Sequence, residues 1–220
     1  MKYFFLSLLF GTLAITTNAQ NPKKVDLNEF ILECMKNTGD LPHKQMAFWL
    51  PSEYWDVVAE QMKLAPDAVA QIQSEMNNYL LFVAVDYSIA SAQFTYKSDD
   101  EIRKTLKLTD SLGNSYSPLG LNDVSPLAQQ FLGVMQPLFA KLCGQLGEGM
   151  HIYLFDSKKV NAKTYISLKK PNRLFLSWDD VKIKWTTPFA SVLPAKVCPV
   201  DHELMKGNWN YCPVHGAKLN

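Results

Sequence analysis

Tyr79-Leu80-Leu81-Phe82-Val83-Ala84-Val85 is an uninterrupted apolar run with no charge, glycine or proline inside it. A half-buried strand alternates at period 2 and an amphipathic helix repeats at about 3.6 residues, whereas an unbroken short run fits a strand buried on both faces. A prolongation of the preceding helix is the alternative, because neither Gly nor Pro separates the two. Downstream, Leu106 and Leu108 flank Lys107 and lead into Asp110-Ser111-Leu112-Gly113-Asn114, the turn chemistry of a hairpin. Met150–Phe155, Thr164–Leu168 and Arg173–Trp178 read as short strands. Val181-Lys182-Ile183-Lys184-Trp185 alternates apolar and basic, the mark of an antiparallel strand with one wet face. Strands at this spacing, with turn residues between them, predict a sandwich or barrel rather than βαβ units. One helix is inserted over 125–143: Ser125-Pro126 opens it, Leu127, Phe131, Leu132 and Met135 face the core, and Pro137 is expected to kink or split it.

Upstream, residues 20–78 read as a helical N-terminal part. Asp26 caps a first helix, with Glu29 placed for a capping box, and Leu27, Phe30, Ile31, Cys34 and Met35 form one stripe up to Asn37-Thr38-Gly39. A second helix is predicted from Pro51, with Trp55, Val58, Ala59 and Met62 on its buried side. A third is predicted from Pro66-Asp67, with Val69, Ile72 and Met76 in line. The expected architecture is therefore α+β: helices at 20–78 packed on an antiparallel β-sandwich at 79–190, followed by a tail at 196–220.

Of the 220 residues, 47% are hydrophobic and 20% are charged, which excludes a disordered or collagen-like chain. Lys+Arg (22) and Asp+Glu (21) balance, so no electrostatic footprint for nucleic acid or an anionic membrane is present. Residues 1–19 have the form of a secretory signal peptide: Lys2, an apolar stretch from Tyr3 to Ile15, and small residues at Thr17 and Ala19 before Gln20. The expectation is an exported protein, periplasmic or secreted, with no membrane span after cleavage. The layout of residues 106–116, followed after an insertion by His151-Ile152-Tyr153-Leu154-Phe155, resembles immunoglobulin-like sandwich domains of exported bacterial proteins. Such domains host many functions, so this resemblance implies a fold and no activity.

The tail carries an internal echo: Cys198-Pro199-Val200-Asp201 and, fourteen residues on, Cys212-Pro213-Val214-His215. It resembles a zinc ribbon, in which two Cys-Pro-x-Cys-Gly turns face each other across a hairpin and present four ligands near a tetrahedron. Lys206-Gly207-Asn208 supplies a turn between the halves, and Gly216 stands where the family has its glycine. Both second cysteines are replaced, by Asp201 and His215. The resemblance implies a zinc set of Cys198, Cys212, His215 and either Asp201 or the neighbouring His202. In an oxidising compartment a Cys198–Cys212 disulfide is the competing outcome, and both stay open here. Either way the tail is expected to be structural.

The remaining candidates read more simply as structure. Cys34 lies on an apolar stripe, and its pairing with Cys143 cannot be read from spacing. Gly144–Gly149 follows a helix and precedes a strand, the wrong order for a phosphate loop, and reads as a turn. His202-Glu203 lacks the second histidine of a metalloprotease helix. Asp99-Asp100-Glu101 and Asp179-Asp180 read as solvated loops, and Asp110 and Asn114 as turn formers rather than calcium ligands. Trp209 and Tyr211 are expected to dock the tail. The expected function is a non-catalytic binding or accessory protein of the cell envelope, with an envelope protein or ligand as partner. The alternatives are an envelope hydrolase or metal-dependent enzyme built from scattered strands, in which His151 or another titratable pair would meet in a pocket, and a metal-buffering or sensing protein.

Overall fold

The computed structural model describes residues 25–55, 66–161 and 166–219. The signal-peptide segment, the predicted helical positions Val58, Ala59 and Met62, and the start of the predicted strand at Thr164 lie outside these residues. Within them the chain is α+β with antiparallel sheets. No helix among the described residues is long and apolar enough to cross a membrane.

The apolar run 79–85 begins β3 (Tyr79–Ala90), the longest strand among the described residues. One edge of β3 pairs along its length with β2 (His43–Leu50), from His43↔Ser88 to Leu50↔Leu81. Its other edge is shared end to end by β7 (His151–Asp156) and β4 (Gln93–Tyr96). β1 (Met35–Thr38) completes this sheet against β2. A second sheet has the order β6-β5-β8-β9, from β5 (Lys107–Thr109), β6 (Ser115–Tyr116), β8 (Asn172–Trp178) and β9 (Val181–Thr187).

Alternation along β3 sends its side chains into two separate cores. Phe82 and Ala84, with Trp49 of β2 and Phe155 of β7, meet Leu108, Leu176, Trp178 and Trp185 of the second sheet. Leu81, Val83 and Val85 point the other way, onto helices α2 (Pro66–Met76) and α4 (Pro126–Cys143), where Met76, Ala128 and Phe131 receive them. A strand covered on one face by a sheet and on the other by helices requires apolar residues at every position, which is the physical reason for the unbroken run. Phe82 is fully buried and in aromatic contact with Trp49, Phe155 and Trp185. Its truncation to alanine is expected to cost about 3–5 kcal/mol.

The helical reading of 20–78 needs correction. α1 spans only Leu27–Cys34, capped by the Asp26 carboxylate accepting from the Asn28 and Glu29 N–H groups. Met35, expected on the helical stripe, instead starts β1, and β2 occupies a stretch where no strand was expected. β2 lies beside β3 and β1 beside β2, and the ladder hydrogen bonds available there override local helix propensity. The turn at 110–114 stands as expected, with the Asp110 carboxylate accepting from the Leu112 and Asn114 N–H groups, both at 2.9 Å. Asp99-Asp100-Glu101 is not a loop but the first turn of α3 (Asp99–Thr105), closed by a Ser98–Glu101 capping box. α4 runs unbroken through Pro137, and Leu127, expected in the core, is 41% exposed. Gln145–Glu148 forms a short helix, α5, where a turn was expected, and Leu168 lies in a turn rather than a strand.

Candidate metal centre

The tail repeats its backbone as well as its letters. β10 (Lys196–Val197) pairs with β11 (Leu204–Met205), and the Val197↔Leu204 pairing recurs fourteen residues later as the Tyr211↔Lys218 bridge. Inside each half the chain makes the same tight turn. The His202 N–H donates to the Cys198 carbonyl and the Gly216 N–H to the Cys212 carbonyl, both at 2.9 Å. The Cys198 N–H donates to Glu203 and the Cys212 N–H to Ala217, at 2.9 and 2.8 Å. His202 and Gly216 occupy the matching left-handed position, with φ of +62° and +65°. Cys198, Met205, Cys212 and Leu219, two from each half, form a small core of their own.

This duplication brings Cys198, Cys212 and His215 together. One donor atom from each lies within 4.8 Å of the other two, a group able to hold a metal ion. The His215 Nδ1 is 3.5 Å from the Cys198 Sγ and 3.6 Å from the Cys212 Sγ. Both thiols are free, and both are buried. Burial raises the thiols. At Cys212 the N–H groups of His215 and Val214, with the Cys198 thiol and the His215 ring, outweigh burial and bring the thiol below its ordinary value. At Cys198 burial prevails and the thiol stays above it. Asp201 borders the group, its Oδ2 lying 3.5 Å from the His215 Nδ1. The Cys198 thiol and the Glu203 N–H hold this carboxyl below its usual value. Neither Asp201 nor His202 is among the three converging donors; His202 is exposed and fills the backbone position that glycine fills in the second half.

The tail is fixed to the body through the link between its halves. The Lys206 ammonium lies 3.2 Å from the Glu29 carboxylate, and the Asn208 Nδ2 donates to the Pro188 carbonyl at 3.1 Å. Between them Gly207 passes so close to the body that a Cβ there would fall 2.3 Å from the Pro194 carbonyl oxygen. Of the aromatic pair expected to dock the tail, Tyr211 is 61% exposed and Trp209 36% exposed.

Elsewhere, Cys34 and Cys143 are free thiols, and burial pushes Cys34 up to about 12. Among the described residues, the His151 Nε2 hydrogen-bonds with the Lys97 carbonyl at 3.2 Å. The pair that sequence reading missed is His43 and Asp86. Asp86 is buried; its Oδ1 lies 2.6 Å from the His43 Nε2, and its Oδ2 accepts from the Trp178 Nε1 at 2.9 Å. The half-exposed His43 ring borders an open cleft of about 300 Å³, which Ser88, Lys97 and Glu101 also line. The two residues are 43 positions apart and meet only because β2 lies along β3, so no local spacing announces them.

No protein-family model, no curated protein and no solved structure matches this chain.

Proposed function

We propose that the protein is an exported, non-catalytic accessory or binding protein of the cell envelope whose C-terminal hairpin is a zinc-ribbon-like metal centre. One observation carries the reading: two thiols and an imidazole from duplicated turns converge on one point. In a tetrahedral site with Zn–S of about 2.3 Å and Zn–N of about 2.0–2.1 Å, sulfur and nitrogen donors stand about 3.6 Å apart. The sulfur–nitrogen separations of 3.5 and 3.6 Å fit that edge. Cys198, Cys212 and His215 supply three donors, and Asp201 is the nearest candidate for the fourth. The ion supplies the covalent link that so small a hairpin lacks, with a core of only four side chains. The two facing sheets with a shared core support the sandwich part of the fold reading, and the form of residues 1–19 supports export.

Intact mass and elemental analysis on protein from its native compartment test this. One zinc per chain with reduced thiols is expected, and loss of that zinc in Cys212→Ser. A mass lower by two hydrogens with no metal assigns the pair to a disulfide and overturns the reading.

A second reading has its own observation. A buried carboxylate fixing a half-exposed imidazole at the mouth of a cleft is the arrangement of a general base with its orienting group. An envelope hydrolase working through His43 would turn over p-nitrophenyl acetate above background and lose that rate in His43→Gln. Equal rates in both proteins remove this reading.

A further inference from the structure

The two halves of the tail are equal in backbone and unequal in chemistry. The second half offers the His215 imidazole where the first offers the Asp201 carboxylate. Cys198 and Cys212 are buried, at 0% and 2% exposure, whereas the Asp201 and His215 side chains are 29% and 30% exposed. The nitrogen–oxygen edge therefore faces solvent. Along that edge the carboxylate is the weaker donor for a borderline-soft ion already held by thiolates. It is also already provided for without a metal: its Oδ1 accepts from the Glu203 N–H at 3.1 Å. Swinging away leaves no buried acceptor unpaired, so detachment carries little penalty. Val200 and Val214, adjacent in sequence to Asp201 and His215, are 59% and 72% exposed and give the edge an apolar rim.

Resting on the metal-centre reading, we propose that this edge is an exchange position: Asp201 closes the site at rest, and the thiolate of a second molecule displaces it, so that the tail hands its ion on rather than keeping it as a permanent staple. In the step one bond from the incoming sulfur to the ion forms and the Asp201 carboxylate bond to it breaks. The thiol proton passes to solvent, Asp201 leaves as the anion, and nothing is oxidised or reduced. Cys198, Cys212 and His215 hold the ion while the fourth position changes hands. The complementary species is a small thiol or a protein-borne cysteine pair, with soft sulfur donors in both cases.

The test uses full-length mature protein loaded with one equivalent of zinc. Transfer to excess 4-(2-pyridylazo)resorcinol is followed with no thiol, with reduced glutathione, and with a Cys-x-x-Cys peptide. Transfer from the parent protein is expected to speed up about tenfold or more with at least one thiol. It should slow about tenfold or more in Asp201→Cys, where a thiolate closes the edge. Asp201→Asn, which preserves the shape of the residue, should release at least as fast as the parent. Acceleration by glutathione assigns a small-thiol acceptor, and acceleration by the peptide alone a protein-borne one. If the parent binds one zinc but releases it as slowly as Asp201→Cys and without thiol dependence, the exchange proposal is overturned and the metal centre stands. If the parent binds no zinc, the metal centre itself fails.

Discussion

Replacing Gly207 by alanine should detach the tail from the body while leaving its donors in place. The added Cβ would lie 2.3 Å from the Pro194 carbonyl oxygen and 2.6 Å from the Leu193 Cβ, with the Leu193 carbonyl carbon at 3.2 Å. An ordinary contact is about 3.5 Å, so the link must move by about 1 Å. The nearest obstacle is backbone, which does not yield as a flexible side-chain end does. Overpacking of this kind costs about 1–3 kcal/mol. The shift also breaks the 3.1 Å Asn208–Pro188 hydrogen bond and lengthens the 3.2 Å Lys206–Glu29 contact. The first contributes about 1 kcal/mol, and the exposed ion pair between 0 and about 1. The total is about 2–5 kcal/mol against docking, equivalent to a fall in Tm of roughly 4–20 °C for a chain of this size. Scanning calorimetry reads the destabilisation, trypsin cleavage at Lys196 reads the exposure of the tail, and elemental analysis reads its zinc. A lower Tm, faster cleavage and unchanged zinc are expected. Parental Tm and cleavage would refute the claim that residues 206–208 hold the tail.

Three further outcomes follow from the same contacts. His202→Gly should raise stability by about 0.5–1 kcal/mol, because it relieves a non-glycine residue at φ +62°, and should leave metal stoichiometry unchanged; loss of metal would make His202 a ligand after all. The Lys97 ammonium and the Thr105 hydroxyl hold Asp179 below its usual carboxyl range. Its stabilisation is therefore complete above the unfolded carboxyl value and lost as pH falls through the lower folded one. Asp179→Asn should flatten this part of the acid side of a Tm–pH curve, and parallel curves would contradict the assignment. Cys34, pushed up to about 12 by burial, should resist iodoacetamide at pH 8 in the native protein and react in urea; prompt native labelling would show the helix α1 face to be open.

What the sequence made legible follows a physical rule. Patterns that one segment satisfies alone came through: Asp26 and Ser125 as caps, the Asp110 turn, and the alternation of β9. The first half of β3 came through because residues 79–85 face two apolar cores, while the buried Asp86 that follows them is held by His43 and Trp178. In β2 only the first half was illegible: His43-Lys44-Gln45 has no pattern of its own and takes its form from β3 beside it, whereas Met46-Ala47-Phe48-Trp49-Leu50 is an apolar run that the helical reading of 20–78 passed over. Ser98 and Glu101 carried a readable capping box that the acidic run Asp99-Asp100-Glu101 obscured. In the tail, the echo of Cys-Pro-Val located three of the donors and the turns that present them. It left Asp201 and His202 as alternatives; that His202 takes the left-handed backbone position and that Asp201 borders the group are properties of the folded turn. Nor did it show that Gly207, read only as a turn signal, is the point of closest approach to the body. His43 and Asp86 belong to the same class as the first half of β2: their meeting is a consequence of register.

The most direct test of the metal centre is X-ray absorption at the zinc edge on the loaded protein. The account predicts two sulfurs at about 2.3 Å and two nitrogen or oxygen neighbours at about 2.0–2.2 Å. A first shell without sulfur would contradict it.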